Sequence, residues 1–384
     1  MNPWMNFRVG LLFSFLLLLI NSSRAYAEVF HVYFGTGGRG ADGIYHSKFD
    51  TSSGRLEPAT RVAAASNPGF LALHPSGRIL YTVATLDSIP VVAAYGINAD
   101  GSLAFIEKSP IGDGAAAHIA VHPSGRFLLT AQYGGGSAAL FPLDANGRLG
   151  SAQLTRHLGA SRTFARRQDS PHPHWCGFSP DGRFALVPDL GADRIVIYRV
   201  DPDKPAITPH GFAQSTPGAG PRHLRFSPDG RFIYLLEELS LTVTTFEWDA
   251  AAGTARKLAT VPTLSEDVKA QETSNLAAEI LVHPSGRFIY ASNRGNDSVT
   301  VFHADPATAA LKVVQVQPVR GAYPRNINLA PGAAWLLAAG QDSSTVSVHK
   351  VDPESGKLTF QTRGVINLPA PICVLFVKTT AQVQ

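Results

Sequence analysis

A short turn sequence recurs six times along the chain, and this repeat constrains the fold more than any other feature. Most copies run Pro, then Ser or Asp, then Gly and Arg. This order signals a tight turn, because Pro presets φ and Gly tolerates a positive φ. Apolar runs flank the turn, so each copy predicts a β-hairpin. The copies are HPSGRI at His74, HPSGRF at His122 and His283, SPDGRF at Ser179 and Ser227, and the degraded APGAAW at Ala330.

A second marker occurs seven times in step with the first. It consists of an aromatic or apolar strand, an Asp-containing turn and then, in most copies, Leu, from FDTSSGRL at Phe49 to VHKVDPESGKL at Val348. The turn glycines of the first marker lie 46 to 57 residues apart, and about four strand-like runs in each period are typical of propeller blades. Seven second markers therefore predict an all-β chain folded as a seven-bladed β-propeller.

The ring is expected to close by pairing of the N- and C-terminal strands. The first blade has no copy of the turn marker, so its inner strand must come from elsewhere. Pro371–Val377 is an apolar strand without a blade of its own, and pairing beside Val29–Gly35 would complete the first blade. A closed ring protects the sheet edges that an open array would expose. Two insertions lengthen the repeats, at Arg162–Gln168 and Pro262–Asn275, and are expected to be loops.

The first 27 residues have the pattern of a secretory signal peptide. Arg8 precedes a run of twelve apolar or small residues, Val9–Ile20, and residues 25–27 (Ala-Tyr-Ala) fit the small-x-small cleavage rule. The run is short for a membrane-spanning helix, although an uncleaved anchor is the alternative. We therefore expect a periplasmic or secreted mature protein that begins at Glu28 and forms one propeller domain over residues 28–384.

Charge and cysteine content exclude several classes of protein. Without Arg8 and Arg24 of the signal peptide, 31 basic residues face 29 acidic ones, and this net charge of +2 is too small to indicate nucleic-acid binding. Cys176 and Cys373 lie in apolar strand-like segments and are expected to be buried and unpaired. The sequence contains no zinc spacing of Cys and His and no calcium-type acidic loop, so we expect neither a metal nor a cofactor.

The repeat supplies a register that collects titratable residues on one face. Positions five residues before each turn motif begin the strand that lines the central channel. Positions eight residues after each turn glycine lie at the end of the second strand, which is the same end of the hairpin. Several repeats have Gly, Ala or Leu at these positions, as at Gly69, Ala117, Ala278, Leu190 and Gly340. The exceptions, predicted to meet at one mouth of the channel, are His174, Arg222, Arg325, Glu238 and Arg294.

Six short motifs occur in order in successive repeats. They are YGGGS at Tyr133–Ser137, QDSPHPH at Gln168–His174, GPRH at Gly220–His223, ELS at Glu238–Ser240, SNRG at Ser292–Gly295 and YPR at Tyr323–Arg325. In order and position these motifs resemble the lactonase family of seven-bladed propellers. That family includes the bacterial cycloisomerase-2-type 6-phosphogluconolactonase and the fungal carboxy-muconate lactonizing enzyme. The resemblance covers nearly the whole mature chain.

The resemblance implies roles for eight residues. Where the family usually has Asn before its Glu, this chain has Glu237, which would raise the pKa of Glu238 or face solvent. A signal peptide also departs from the family's cytosolic role, which leaves open whether the substrate is phosphorylated. The implied catalytic residues are His174, Arg222, Glu238 and Arg294, and the implied substrate-binding residues are Arg325, His172, His223 and Tyr133.

These residues suit an enzyme that hydrolyses a small sugar-type lactone, similar to 6-phosphogluconolactonase. Glu238 or His174 would activate water as a base. Two arginines would hold the developing oxyanion and an anionic group of the substrate. A cycloisomerase that forms or opens a muconolactone-type ring and a non-catalytic propeller that binds an anion or a protein are the alternatives. The expected partner is an anionic lactone, and we expect a monomer without stable membrane association.

Overall fold

The computed structural model describes residues 28–201, 203–271 and 274–378, so the predicted signal peptide lies outside the described residues. The described residues form seven antiparallel sheets, in which neighbouring inner strands contact one another around a central axis. The predicted all-β, seven-bladed β-propeller is confirmed. Six sheets have four strands, and the first has five because two short strands, β3 and β4, both pair with β2 (β2, Gly43–Asp50; β3, Arg55–Leu56; β4, Thr60–Ala64).

The strands of the first four blades follow the order of the chain. Blade one contains β1 (Val29–Thr36) and the three strands β2 to β4, and blade two contains β5 (Leu71–Leu73), β6 (Ile79–Leu86), β7 (Ile89–Ile97) and β8 (Leu103–Pro110). Blade three contains β9 (His118–Val121), β10 (Phe127–Gln132), β11 (Ser137–Pro142) and β12 (Gln153–Arg156), and blade four contains β13 (Gly177–Phe178), β14 (Phe184–Asp189), β15 (Arg194–Asp201) and β16 (Ala206–Gln214).

The remaining blades repeat this plan. Blade five contains β17 (Pro221–Phe226), β18 (Phe232–Glu237), β19 (Thr242–Asp249) and β20 (Thr254–Pro262), and blade six contains β21 (Leu276–Val282), β22 (Phe288–Arg294), β23 (Ser298–Ala304) and β24 (Leu311–Pro318). Blade seven contains β25 (Pro324–Leu329), β26 (Trp335–Gly340), β27 (Thr345–Val351) and β28 (Leu358–Asn367), and the last strand is β29 (Pro371–Lys378).

The C-terminal strand closes the ring as predicted. β29 runs antiparallel to β1, with Phe30 opposite Lys378 at one end of the pairing and Gly35 opposite Cys373 near the other. β29 also contacts β25 of blade seven and β5 of blade two, so it fills the inner position of blade one. Both Cys176 and Cys373 are buried and unpaired, as expected.

One of the two insertions differs from its prediction. The segment Pro262–Asn275 was expected to be a loop, but it contains α1 (Glu266–Gln271). A Ser at position 265 precedes the helix, its hydroxyl accepts a hydrogen bond from the backbone N–H of Val268, and Glu266 and Asp267 occupy the first turn. These are ordinary helix-start features. In the described part of the chain, no helix is long and apolar enough to cross a membrane.

The hydrophobic core is divided among the interfaces between neighbouring blades. Phe184 of blade four belongs to the same buried cluster as Phe246 of blade five, and Phe288 of blade six to the same cluster as Leu336 of blade seven. Val374 of β29 lies in the cluster shared by blades one and seven. Each blade therefore buries its two faces only when both neighbours are present.

The two sequence markers join adjacent blades. The ring of Phe184 lies over the second-marker turn of the next blade, where a Cβ added at Gly253 would be 2.2 Å from the ring. This close approach and a φ of 69° explain why that turn requires Gly. The His of the first marker acts similarly, because the His122 Nε2 atom lies 3.0 Å from the Gly182 carbonyl oxygen of the following blade.

Two buried histidines share one hydrogen bond inside blade one. The His31 Nδ1 and His46 Nε2 atoms are 2.8 Å apart, and His46 is only 8% exposed. Burial, together with repulsion from His31 and Lys48, lowers the pKa of His46 to about 4. Burial also lowers the pKa of His31. The lowered pKa values favour the neutral form of both imidazole rings at pH 7.

Removal of residues 371–384 should destabilise the whole ring, because blade one would lose its inner strand and β1 would have an open edge. Removal of residues 379–384 alone leaves β29 intact and serves as the control. Thermal unfolding followed by circular dichroism should show an unchanged Tm for the control and a Tm lower by ~10 °C or more for the longer deletion. An unchanged Tm after the longer deletion would contradict closure by β29.

Acid should destabilise the protein through His46. The unfolded His46 takes up a proton near pH 6.5 and the folded one only near pH 4, so its stabilising contribution is complete above pH 6.5 and is lost as the pH falls towards 4. We expect His46→Asn to remove about 2 to 3 kcal/mol of this pH dependence in urea unfolding between pH 4 and pH 7. The exposed His303→Asn is the control. Equal pH dependence in the His46 variant and the wild type would refute this assignment.

Candidate active site

The residues that the repeat register places at the channel mouth do come together there. They line a cavity of about 500 Å³ where the inner strands of blades four, five and seven begin. A second cavity of about 300 Å³ shares His174, Arg222 and Arg325 with the first. The polar side chains of the larger cavity belong to Tyr133, Arg167, His174, Arg222, Glu238, Arg294, Tyr323 and Arg325.

The carboxylate of Glu238 is the centre of the cluster. Glu238 follows the last residue of β18 and is only 2% exposed. Its Oε2 atom accepts a short hydrogen bond from Arg222 Nη1 and lies 3.1 Å from Arg294 Nη2. Its Oε1 atom lies 2.5 Å from Arg167 Nη2. Burial alone would raise the pKa of Glu238, but the three guanidinium groups outweigh it and hold the pKa well below the usual value for Glu.

Arg222 is held rigidly and joins the carboxylate to the histidine. It is 1% exposed, its Nε donates to the Ala278 carbonyl oxygen at 2.8 Å, and its Nη1 makes short contacts with both Glu238 Oε2 and His174 Nε2. Burial lowers the pKa of Arg222 to about 9, with Glu238 opposing the shift. Arg222 therefore stays charged at neutral pH.

His174 is a neutral imidazole with a defined tautomer. Burial and the adjacent charge of Arg222 lower its pKa well below the usual value. A guanidinium group can only donate, so the Nε2 atom facing Arg222 must accept and Nδ1 must carry the hydrogen. The Nδ1 atom has no hydrogen-bond partner among the described residues. Glu238 Oε2 is 3.9 Å from His174 Nε2.

The two remaining arginines of the predicted set differ in their partners. Arg294 Nη2 donates to the Ala277 carbonyl oxygen at 2.7 Å, and its guanidinium group lies 5.1 Å from the centre of the Tyr323 ring. The Arg325 side chain lines both cavities and makes no hydrogen bond or ion pair with any residue that the structure describes, although the charge of Glu238 acts on it. Arg325 is therefore free to contact an anion in the cavity.

Two predicted substrate-binding residues do not line either cavity. His172 stacks behind Tyr133 with ring centres 4.4 Å apart, and its Nδ1 atom lies 2.7 Å from the Tyr133 carbonyl oxygen. His223 is fully buried, because neighbouring side chains on β17 point in different directions and Arg222 takes the cavity side. The ring of His223 packs against His174, with centres 5.5 Å apart. Neither residue lines the two cavities, and both pack behind residues that do.

Both expectations for Glu237 are wrong. Its side chain is fully buried rather than exposed, and it accepts hydrogen bonds from the hydroxyl groups of Ser215, Thr242 and Thr244. Glu237 is the last residue of β18, and its carboxylate turns away from the cavity into the blade. Burial raises the pKa of Glu237 itself, while that of Glu238 is lowered.

Arg167 is a cavity residue that the sequence analysis missed. It belongs to the predicted insertion Arg162–Gln168, which was interpreted only as a loop. The next residue fixes this loop, because the buried Gln168 amide donates to the Leu190 carbonyl oxygen at 2.8 Å and to Asp193 at 2.7 Å. The available signal was the position of two arginines directly before the QDSPHPH motif.

The arrangement combines a carboxylate, a neutral imidazole and a surplus of fixed positive charge. Four guanidinium groups against one carboxylate give the described cavity lining a net charge of about +3. Such a site can bind an anion, stabilise a developing oxyanion and accept a proton from water. In the described residues, no group of three or more His, Cys, Asp or Glu side chains is arranged to hold a metal ion.

Comparisons with known proteins agree with this geometry. A model of the family "Lactonase, 7-bladed beta-propeller" matches residues 31–376. The 6-phosphogluconolactonase of Bacillus subtilis is 31% identical over 339 residues, which cover 88% of this chain and 95% of that protein. The 6-phosphogluconolactonase of Formosa agariphila is 31% identical over 324 residues, which cover 82% of this chain and 90% of that protein.

A solved structure gives the same result. The periplasmic gluconolactonase of Pseudomonas aeruginosa superimposes with a TM-score of 0.84 at 31% identity, covering 91% of this chain and 99% of that one. The match extends around the whole ring rather than over a few blades. This chain therefore belongs to the lactonase family of seven-bladed β-propellers.

Proposed function

We propose that this chain hydrolyses a sugar-type lactone, an aldonolactone, in the cavity around Glu238. The observation that carries the proposal is one buried carboxylate shared by three guanidinium groups, with a neutral histidine 3.9 Å away. Relatives with this fold are named 6-phosphogluconolactonase and gluconolactonase, and their names supply the class of substrate.

Of the two candidate bases, Glu238 has the freer acceptor atom. The Nε2 lone pair of His174 faces Arg222, and its Nδ1 atom carries the hydrogen. Glu238 Oε1 also has one partner, Arg167, but a carboxylate oxygen has a second lone pair that can accept from water. In the proposed reaction, Glu238 Oε1 takes a proton from a water molecule as the water oxygen bonds to the lactone carbonyl carbon.

The arginines stabilise the charge that this attack creates. Arg222 and Arg294 are anchored to backbone carbonyl oxygens, so they are fixed before the reaction and can hold the oxyanion without reorganising. The ring C–O bond then breaks, and the proton held by Glu238 passes to the leaving ring oxygen. The product is an open-chain aldonic acid, which releases its carboxyl proton to solvent, and the resulting carboxylate suits the positively charged cavity.

Export to the periplasm is part of the proposal. Residues 1–27 carry the signal-peptide pattern, and a structural relative of similar length is named a periplasmic gluconolactonase. An exported enzyme would meet sugar lactones outside the cytosol. Both phosphorylated and unphosphorylated aldonolactones therefore belong in a test of substrate.

Arg222→Ala should abolish lactone hydrolysis while the fold persists, because removal of one oxyanion contact costs about 100-fold or more in rate. The assay follows acid release from glucono-1,5-lactone and its 6-phosphate with the spontaneous rate subtracted, and circular dichroism confirms folding. Arg256→Ala on the exposed outer strand β20 is the control and should keep full activity. Equal rates for Arg222→Ala and the wild type would contradict the site, and saturable binding without turnover would contradict the reaction.

Glu238→Gln should destabilise the protein more than Arg222→Met. The first change leaves Arg167, Arg222 and Arg294 crowded without their carboxylate, whereas the second leaves the carboxylate with two arginines. We expect losses in the free energy of unfolding of about 3 kcal/mol and about 1 kcal/mol, respectively. Inorganic phosphate should restore the Tm of Glu238→Gln more than it raises that of the wild type. The reverse order of stability would show that the carboxylate does not hold the cluster together.

A further inference from the structure

Arg167 differs from the other arginines around Glu238 in how it is held. Arg222 and Arg294 extend from strands of the blades, and both donate to backbone carbonyl oxygens. Arg167 lies on the insertion before β13, its one ion pair among the described residues is with Glu238 Oε1, and Tyr133 is its other side-chain partner. Its side chain is 29% exposed, against 1% and 3% for Arg222 and Arg294. Arg167 is therefore the member of the cluster that can leave the carboxylate at least cost.

The backbone under Arg167 is fixed, so the movement belongs to the side chain. The N–H of Gln168 donates to the Phe164 carbonyl oxygen at 2.9 Å, and the N–H of Arg162 donates to the Gln168 carbonyl oxygen at 2.9 Å. The Gln168 side chain ties the same loop to Leu190 and Asp193, in the turn between β14 and β15. A long, partly exposed side chain on a rigid loop can change partners by rotation about its own bonds.

Arg167 occupies the atom that the proposed reaction needs. Glu238 Oε2 already contacts both Arg222 and Arg294, so Oε1 is the oxygen that can accept a proton from water. In the structure that oxygen is bound by Arg167. The other charged or titratable groups that face Glu238 are His174, Arg222, Arg294 and Arg325. The contacts of His174, Arg222 and Arg294 with this carboxylate are all to Oε2.

We propose that Arg167 determines substrate specificity by exchanging Glu238 Oε1 for an anionic substituent of the lactone, such as a phosphate. This inference rests on the proposed hydrolysis at Glu238. An anion that binds Arg167, with Arg325 unpaired in the same cavity, frees Oε1 to accept the proton of the attacking water. A neutral lactone leaves Arg167 on the carboxylate. The charge of the substrate thus determines, through the Arg167 side chain, how readily Glu238 accepts a proton.

Kinetics of Arg167→Gln test this coupling. The wild type should hydrolyse 6-phosphoglucono-lactone with a kcat about tenfold or more above that for glucono-1,5-lactone. Arg167→Gln should lose this preference, because its Oε1 is free with either substrate and the phosphate has lost a partner. The loss of one positive charge should raise the pKa of Glu238, because only Arg222, Arg294, His174 and Arg325 then act on it. The acid limb of kcat/KM should therefore move to higher pH. Arg166→Gln, an exposed neighbour on the same loop, should behave as the wild type.

Binding measurements keep the inference testable apart from turnover. In calorimetry, Arg167→Gln should bind 6-phosphogluconate about tenfold more weakly than the wild type, and gluconate with little change. Arg167→Lys should recover part of the affinity, since Lys retains the charge without the planar fork. The role of Arg167 would be overturned if Arg167→Gln lowered kcat equally for both lactones or lowered the affinity equally for both acids. It would also be overturned if this variant kept the wild-type preference for the phosphorylated lactone. Failure of the wild type to hydrolyse any lactone would instead overturn the proposed function, and the binding result would still decide the role of Arg167.

Discussion

Each blade can bury its apolar faces only against its two neighbours, and this constraint underlies the rest of the structure. The hydrophobic clusters of the described residues lie between blades, as with Phe184 and Phe246, and not within any one of them. The ring must therefore close, and β29 closes it by filling the inner position beside β1. Closure brings the starts of the inner strands of different blades to one mouth. Residues more than a hundred positions apart thus share a cavity.

At that mouth, electrostatic balance replaces hydrophobic packing. Arg222 and Arg294 are almost completely buried, which is tolerable only with a compensating charge and with backbone acceptors. Glu238 supplies that charge and is itself held ionised by the arginines. The same contacts serve the proposed chemistry, because a site already organised around negative charge can stabilise an oxyanion without moving. Stability and reactivity therefore depend on the same few groups.

Much of the fold and part of the site could be predicted from the sequence. The turn markers are local signals, and their spacing carries the blade count and the register that places His174, Arg222 and Arg325 together. Glu237 and Glu238 are neighbours with the same chemistry, and only the end of β18 decides that one enters the cavity and the other the blade. Arg167 lies in an insertion outside the repeat register, so the repeat does not predict where its side chain lies.

Binding and opening of a lactone at the carboxylate–arginine cluster can be tested by a crystal structure of the wild type with 6-phosphogluconate. We expect the product in the cavity of about 500 Å³, with its carboxylate on Arg222 and Arg294 and its phosphate on Arg167 and Arg325. Density for the product elsewhere on the propeller, or an empty cavity at a saturating concentration of product, would contradict it.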